Sequence, residues 1–166
     1  MIENNNIKVA LAPEEVKQVG LVGTGTIGSA WAAHFLARGL DVIAFDPSAE
    51  AEKKLRTVVD NAWLSLEQLG LAKDASRDRL SFTTSIEAAL NDADFIQEST
   101  PENNDIKDKV MAAISKAARP DVVIASSTSN IVPTRLQAQC KNPERLIIGH
   151  PFNPVYLVPL VEVVGG

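Results

Sequence analysis

Residues 19–46, VGLVGTGTIGSAWAAHFLARGLDVIAFD, constrain the fold more than any other part of the chain. An apolar run leads into Gly23-Thr24-Gly25-Thr26-Ile27-Gly28, a small-residue-rich helical pattern follows, and a second apolar run ends in Asp46. The order is strand, glycine turn, helix, strand, acid.

Each position in that order has a physical purpose. Gly23 lets the chain turn sharply out of the first strand, Gly25 leaves room where a ligand pyrophosphate approaches the backbone, and Gly28 lets the helix pack close to the sheet. The helix that begins at Thr26 and Ile27 aims its unpaired N–H groups and positive dipole end at phosphates. Asp46, about 20 residues on, accepts from an adenosine ribose diol, and its charge repels a 2′-phosphate. The stretch therefore predicts a dinucleotide site that favours NAD over NADP. Trp31 and His34 fall inside the helix and read as packed or surface helix residues.

The chain has 166 residues, a length that suits one domain with its own core. A net charge of -5, with no basic block, gives no electrostatic footprint for nucleic acid. Cys140 is the only cysteine, so no internal disulfide is possible; it reads as a small buried residue in a reducing compartment. No stretch approaches membrane-spanning length and no metal site is expected, so the expectation is a soluble, cytoplasmic protein.

Residues 1–16 read as a polar leader and 17–166 as the folded domain. Beyond Asp46, residues 49–69 carry Leu55, Val58, Val59, Ala62, Leu66 and Leu69 at helical spacing, closed by Gly70. Strands are expected at 79–84, 93–97, 122–125, 146–149 and 160–164, with helices at 86–90, 106–118 and 133–139. Strands alternating with helices predict an α/β fold, a Rossmann-type, doubly wound, mostly parallel sheet covered on both faces. Ligands bind such sheets beyond the carboxyl ends of the strands. Three of those ends carry polar sequences, residues 98–102 (ESTPE), 126–130 (SSTSN) and 150–154 (HPFNP), and all three are expected to converge on the dinucleotide.

His150 lies at one such end and Glu162 on the next strand. Oxidation of an alcohol needs a base for the hydroxyl proton, and a neutral imidazole held by a carboxylate on its other nitrogen suits that work. Ser129 and Asn153 offer a hydroxyl and an amide to a carbonyl oxygen or a nicotinamide, or satisfy local backbone as turn residues. Sequence alone leaves open whether His150 and Glu162 meet.

The fingerprint VGTGTIG, the ESTPE and ASSTSN stretches and the ending GHPFNPVYLVPLVEVVGG together resemble the NAD-binding domain of the L-3-hydroxyacyl-CoA dehydrogenase family over residues 17–166. The ending is most similar to the carnitine dehydrogenase branch, which acts on a free 3-hydroxy acid bearing a trimethylammonium group. The resemblance implies His150 as catalytic histidine, Glu162 as its partner and Ser129 as a substrate and cofactor contact. It also implies Asn153, Glu102 and Lys107 near the nicotinamide and Asp46 at the ribose. The asparagine that the family carries in its serine turn is Ser127 here. Acyl-CoA members offer a serine and a lysine from the long helix to coenzyme A. A gapless count places Ala62 and Leu69 there, which favours a small substrate such as carnitine over a CoA thioester. Phe152 or Tyr156 is a candidate aromatic face for the ammonium group. Family members continue into an all-helical domain that closes the pocket and supports a homodimer. The chain stops at Gly165-Gly166, so it is expected to be a fragment of a longer enzyme, weakly active alone. The alternatives are a 3-hydroxyacyl-CoA dehydrogenase and, from another class, a non-catalytic NAD-binding module.

Overall fold

Four of the five residues of β1 (Gln18–Val22) are buried, the mark of a central strand covered on both faces. The computed structural model describes residues 10–166, so the first nine residues of the expected leader lie outside the described residues. The remainder of that leader carries a short 3-10 helix, Pro13–Glu15. Further strands are β2 (Asp41–Phe45), β3 (Leu80–Thr83), β4 (Phe95–Glu98), β5 (Val123–Ser126), β6 (Leu146–Pro151) and β7 (Val161–Val164). Helices are α1 (Thr26–Ala37), α2 (Ala51–Leu69), α3 (Ile86–Leu90), α4 (Asn104–Ala117) and α5 (Pro133–Gln137).

The strands form one sheet in the order β3-β2-β1-β4-β5-β6-β7. The first six are parallel and β7 runs antiparallel to β6. Val22 is level with Phe45 on one side and Glu98 on the other, so the carboxyl ends of β1, β2 and β4 share one rim. Strand order reverses between β1 and β4, and the crevice at that reversal is where doubly wound sheets take ligands.

Two apolar layers cover the sheet. On one face Trp31, Phe35 and Leu36 of α1 pack with Leu55, Val59 and Trp63 of α2. On the other, Leu90, Met111, Ile114 and Leu136 cover Ile96 and Ile124. Glycine and alanines make α1 narrow enough to lie close to β1; Gly28, Ala30, Ala32 and Ala33 are all buried. In α2, Leu55, Val59, Ala62 and Leu66 recur at helical spacing and all point inward, and Gly70 with φ 98° ends the helix.

One sequence expectation changes here. Ala62 is 1% exposed, in the layer against α1, so it fronts no ligand surface. Its lack of a polar group therefore says nothing about coenzyme A, because the helical phase turns that position into the core. Leu69, at the end of α2, is 64% exposed. Tyr156 is half-buried against the α1–α2 layer, whereas Phe152 is exposed. Among the described residues no helix is long and apolar enough to cross a membrane.

Candidate active site

The turn from β1 into α1 forms the floor of the site. Gly23 has φ 91°, and a Cβ there would lie 2.8 Å from Ser99 O, so the position excludes other residues both by conformation and by space. A Cβ on Gly28 would stand 2.0 Å from Gly23 O, which shows how tightly the helix start folds onto the turn. Gly25 differs, because a Cβ there would meet nothing within 4 Å. It is the N-cap of α1 and supplies no capping side chain, so the helix presents free N–H groups to open space.

That space is a cleft of about 710 Å³, lined by the glycine turn, Phe45 to Pro47, Ser99 to Pro101, Ile106 and Val110. Asp46 stands on its wall with its carboxylate oriented by local donors. Oδ2 accepts from Thr24 N at 3.3 Å and Thr24 Oγ1 at 3.0 Å, and Oδ1 accepts from Ser48 N at 3.1 Å. A cradle without a Cβ, an uncapped helix start and an oriented acid fit a dinucleotide: phosphate oxygens against Thr26 and Ile27, a ribose diol against Asp46.

A second cleft of about 400 Å³ shares Ile27, Ser99 and Thr100 with the first and extends to Glu102, Ser127, Ser129, Asn130 and His150. The three strand-end loops therefore meet at one place. A smaller hollow of about 210 Å³ adjoins His150 on its far side, between Ile148, Glu162, Val164 and residues 128–133.

His150 and Glu162 are register partners across β6 and β7. His150 Nδ1 lies 2.7 Å from Glu162 Oε2, and the two side chains are 28% and 59% exposed. A carboxylate oxygen only accepts, so Nδ1 carries a hydrogen and the neutral ring has its lone pair at Nε2. Phe152 sits beside the imidazole, with ring centroids 5.7 Å apart.

Beneath the second cleft lies a buried ion pair. Lys107 is 1% exposed, and its Nζ donates to both oxygens of the fully buried Glu98, at 2.8 and 3.0 Å, and to Thr100 O at 3.2 Å. Ser126 Oγ and Thr100 Oγ1 also donate to Glu98. Glu102, 3.9 Å from the same ammonium, accepts from Thr128 Oγ1, Ser129 N at 3.2 Å and Asn130 N at 3.0 Å. Burial alone would raise the Glu102 carboxyl. Hydrogen bonds from Thr128, Asn130 and Ser129, together with the Lys107 charge, outweigh it and hold the group below its ordinary value.

The sequence-predicted residues thus take different places, Glu162 beside the hollow beyond His150 and Gly28 packed against the glycine turn. Gly23, Gly25, Thr26, Ile27 and Asp46 line the first cleft, and Ser129, His150 and Glu102 line the second. Lys107 lines neither; its ammonium is turned onto Glu98 and reaches the site only through Glu98, Thr100 and Glu102. Asn153 lies in the exposed loop after β6 and lines neither cleft. Sequence reasoning passed over Glu98, whose signal was an acid closing a buried apolar strand. It also missed a set beneath the second cleft, in which Trp31, Gln97 and Ser99 all reach Ser127.

Comparison with known proteins places the chain in a family. The family model described as 3-hydroxyacyl-CoA dehydrogenase, NAD binding domain, matches residues 18–166. The L-carnitine dehydrogenase of Streptomyces griseus is 55% identical over 155 residues, covering 93% of this chain and 46% of that protein. That of Pseudomonas aeruginosa is 56% identical over 152 residues, covering 92% and 47%. The chain thus spans about half the length of these relatives. Among solved structures, an (S)-3-hydroxybutyryl-CoA dehydrogenase from Ralstonia eutropha superposes with a TM-score of 0.82 at 34% identity, over 90% of this chain and 54% of that one. The chain belongs to the family of 3-hydroxyacyl-CoA dehydrogenase NAD-binding domains.

Proposed function

We propose that the chain is the NAD-binding portion of an L-carnitine 3-dehydrogenase, which oxidises the 3-hydroxyl of L-carnitine to 3-dehydrocarnitine. The observation that carries this reading is the His150–Glu162 pair, 2.7 Å apart at the end of the cleft that continues from the glycine turn. The carnitine dehydrogenases that are more than half identical to the chain supply the substrate.

Residues of the chain divide the work. The backbone at Gly25, Thr26 and Ile27 holds phosphate oxygens, and Asp46 accepts from a ribose diol. Bound NAD supplies the hydride acceptor. His150 takes the substrate's hydroxyl proton at Nε2, because Nδ1 is held by Glu162, which also stabilises the imidazolium that forms. Ser129 Oγ donates to the substrate oxygen as it becomes a carbonyl. Glu102 fixes the turn that carries Ser129 through two backbone N–H groups, and Glu98 with Lys107 braces the floor below. Glu102 and Lys107 accordingly serve the nicotinamide side by positioning.

Phe152 is the better placed aromatic face for a quaternary ammonium, since it is exposed beside His150 while Tyr156 packs into the core. Leu157, Leu160, Val161 and Val163 are exposed on and just before the edge strand β7. A helical domain seated there would close the pocket, and the complete enzyme would be a cytoplasmic homodimer.

A 3-hydroxyacyl-CoA dehydrogenase is the second reading, favoured by the solved relative from Ralstonia eutropha and by the loss of Ala62 as an argument against coenzyme A. The complete enzyme assayed with NAD against L-carnitine and 3-hydroxybutyryl-CoA separates the two. A kcat/KM at least about 100-fold higher for carnitine, about 2.7 kcal/mol in transition-state binding, supports the proposal. The reverse preference overturns it.

A further inference from the structure

Ser127 lies at the centre of a hydroxyl network directly beneath the second cleft. Its Oγ is 3.3 Å from Trp31 Nε1, 2.9 Å from Gln97 Nε2 and 2.9 Å from Ser99 Oγ. A hydroxyl has one hydrogen to donate and two lone pairs to accept with, and an indole nitrogen only donates. Gln97 is 1% exposed, and its amide nitrogen is the group that faces Ser127 and donates to it. Trp31 and Gln97 therefore fill both lone pairs of Ser127. Its hydrogen is left for Ser99 Oγ, which must accept.

The consequence falls on Ser99. Its hydroxyl makes no other hydrogen bond among the described residues, and having accepted from Ser127 it has its own hydrogen free. Ser99 is half-buried and lines both clefts, behind the glycine turn: a Cβ on Gly28 would lie 3.4 Å from Ser99 Cβ. A donor of fixed direction thus stands where a ligand must pass from one cleft to the other.

We propose that Ser99 donates its hydroxyl hydrogen to an acceptor oxygen of the bound dinucleotide at the junction of the two clefts, with Ser127 as the positioning residue that sets its direction. The inference rests on the NAD reading above. Ser99 is then a binding residue for the nicotinamide half, and Trp31 contributes to cofactor affinity from inside the core without touching the ligand. The set also explains how serine is accommodated at 127, since its small hydroxyl lets β4 and α1 share one acceptor.

Calorimetric titration of the chain with NADH, and of AMP by competition, tests this with Ser99→Ala, Ser127→Ala and the double variant. Ser99→Ala is expected to weaken NADH about tenfold, the scale of one hydrogen bond, while AMP, held between Asp46 and the glycine turn and ending short of the junction, binds as before. The melting temperature of ligand-free Ser99→Ala stays within about 2 °C of the parent. Ser127→Ala should weaken NADH to a similar extent, and the double variant no further than either alone, because both act through one bond. If Ser127→Ala does not fold, Trp31→Phe serves in its place. It empties one lone pair of Ser127, lets the Ser99 hydrogen turn inward, and should cost NADH affinity only when Ser99 is present. Unchanged NADH affinity in Ser99→Ala, equal losses for NADH and AMP, or additive losses in the double variant would overturn the proposal. Absence of NADH binding by the parent chain would instead overturn the NAD reading beneath it.

Discussion

His150 and Glu162 are direct partners across the antiparallel β6–β7 pair, and their side chains meet at 2.7 Å between Nδ1 and Oε2. Opposed residues on neighbouring strands project to the same face, so the reversal of direction at β7 is what brings an acid twelve positions away onto the imidazole. A carboxylate in that position selects the tautomer with a free Nε2. Glu162→Gln keeps the shape but removes the charge that favours the imidazolium. In the complete enzyme it should lower kcat by at least about 100-fold with little change in the Kd for NADH. Steady-state kinetics beside an NADH titration checks both halves.

Asp46 should govern the choice of dinucleotide. Its carboxylate is oriented by Thr24 and Ser48 on the wall of the larger cleft; in the proposed role it would accept from a ribose diol and repel a 2′-phosphate. Asp46→Ala is expected to weaken NADH about tenfold or more, the scale of hydrogen bonds to a charged group, and to strengthen NADPH. The ratio of the two dissociation constants is the measurement; an unchanged ratio would place the adenosine elsewhere.

Lys107 should be a stability residue before it is a cofactor residue. Both it and Glu98 are essentially inaccessible, and removing Lys107 leaves the Glu98 carboxylate buried without its countercharge. Lys107→Met is expected to cost about 3–5 kcal/mol. For a domain of this size that is a fall in Tm of roughly 6–20 °C. Combining it with Glu98→Gln should recover part of the loss, a result that thermal melts of the three proteins would show.

His34 should give the fold a pH dependence just below neutrality. Burial, and then the Arg38 charge, hold its imidazole below the usual 6.5. The unfolded chain takes up that proton near 6.5 and the folded chain only at lower pH. Between those values the unfolded state binds more protons, so stability falls as pH drops below 6.5 and the dependence levels off below the folded value. Urea midpoints at pH 7.5 and 5.5 should differ less for His34→Gln than for the parent.

The parts of this architecture that depend on neighbouring residues were legible in the sequence. The glycine turn, the acid after β2 and the alternation of strand and helix follow from spacing alone, and the structure places all of them as expected. Contacts set by strand adjacency were not. Trp31 and Ser127 are 96 residues apart, and Glu98 and Ser126 are 28 apart. Each pair meets only because β1, β4 and β5 lie side by side. Trp31 read as packing, and it does stack on Phe35 at 5.1 Å, but nothing local announces that its indole N–H has a polar partner. Ala62 shows the opposite failure, where a gapless count assigned a surface position to a residue that the helical phase turns inward.

The measurement that bears most directly on the account is made on the complete enzyme carrying His150→Asn, by following NADH formation from L-carnitine and NAD at 340 nm and titrating the same protein with NADH. On the proposed mechanism, removal of the base should lower turnover by about 10³-fold or more while the Kd for NADH changes less than about threefold, since the proposal gives His150 the proton and the glycine turn the cofactor. Turnover within tenfold of the parent enzyme would contradict His150 as the base, and with it the reading of this cleft as a dehydrogenase site.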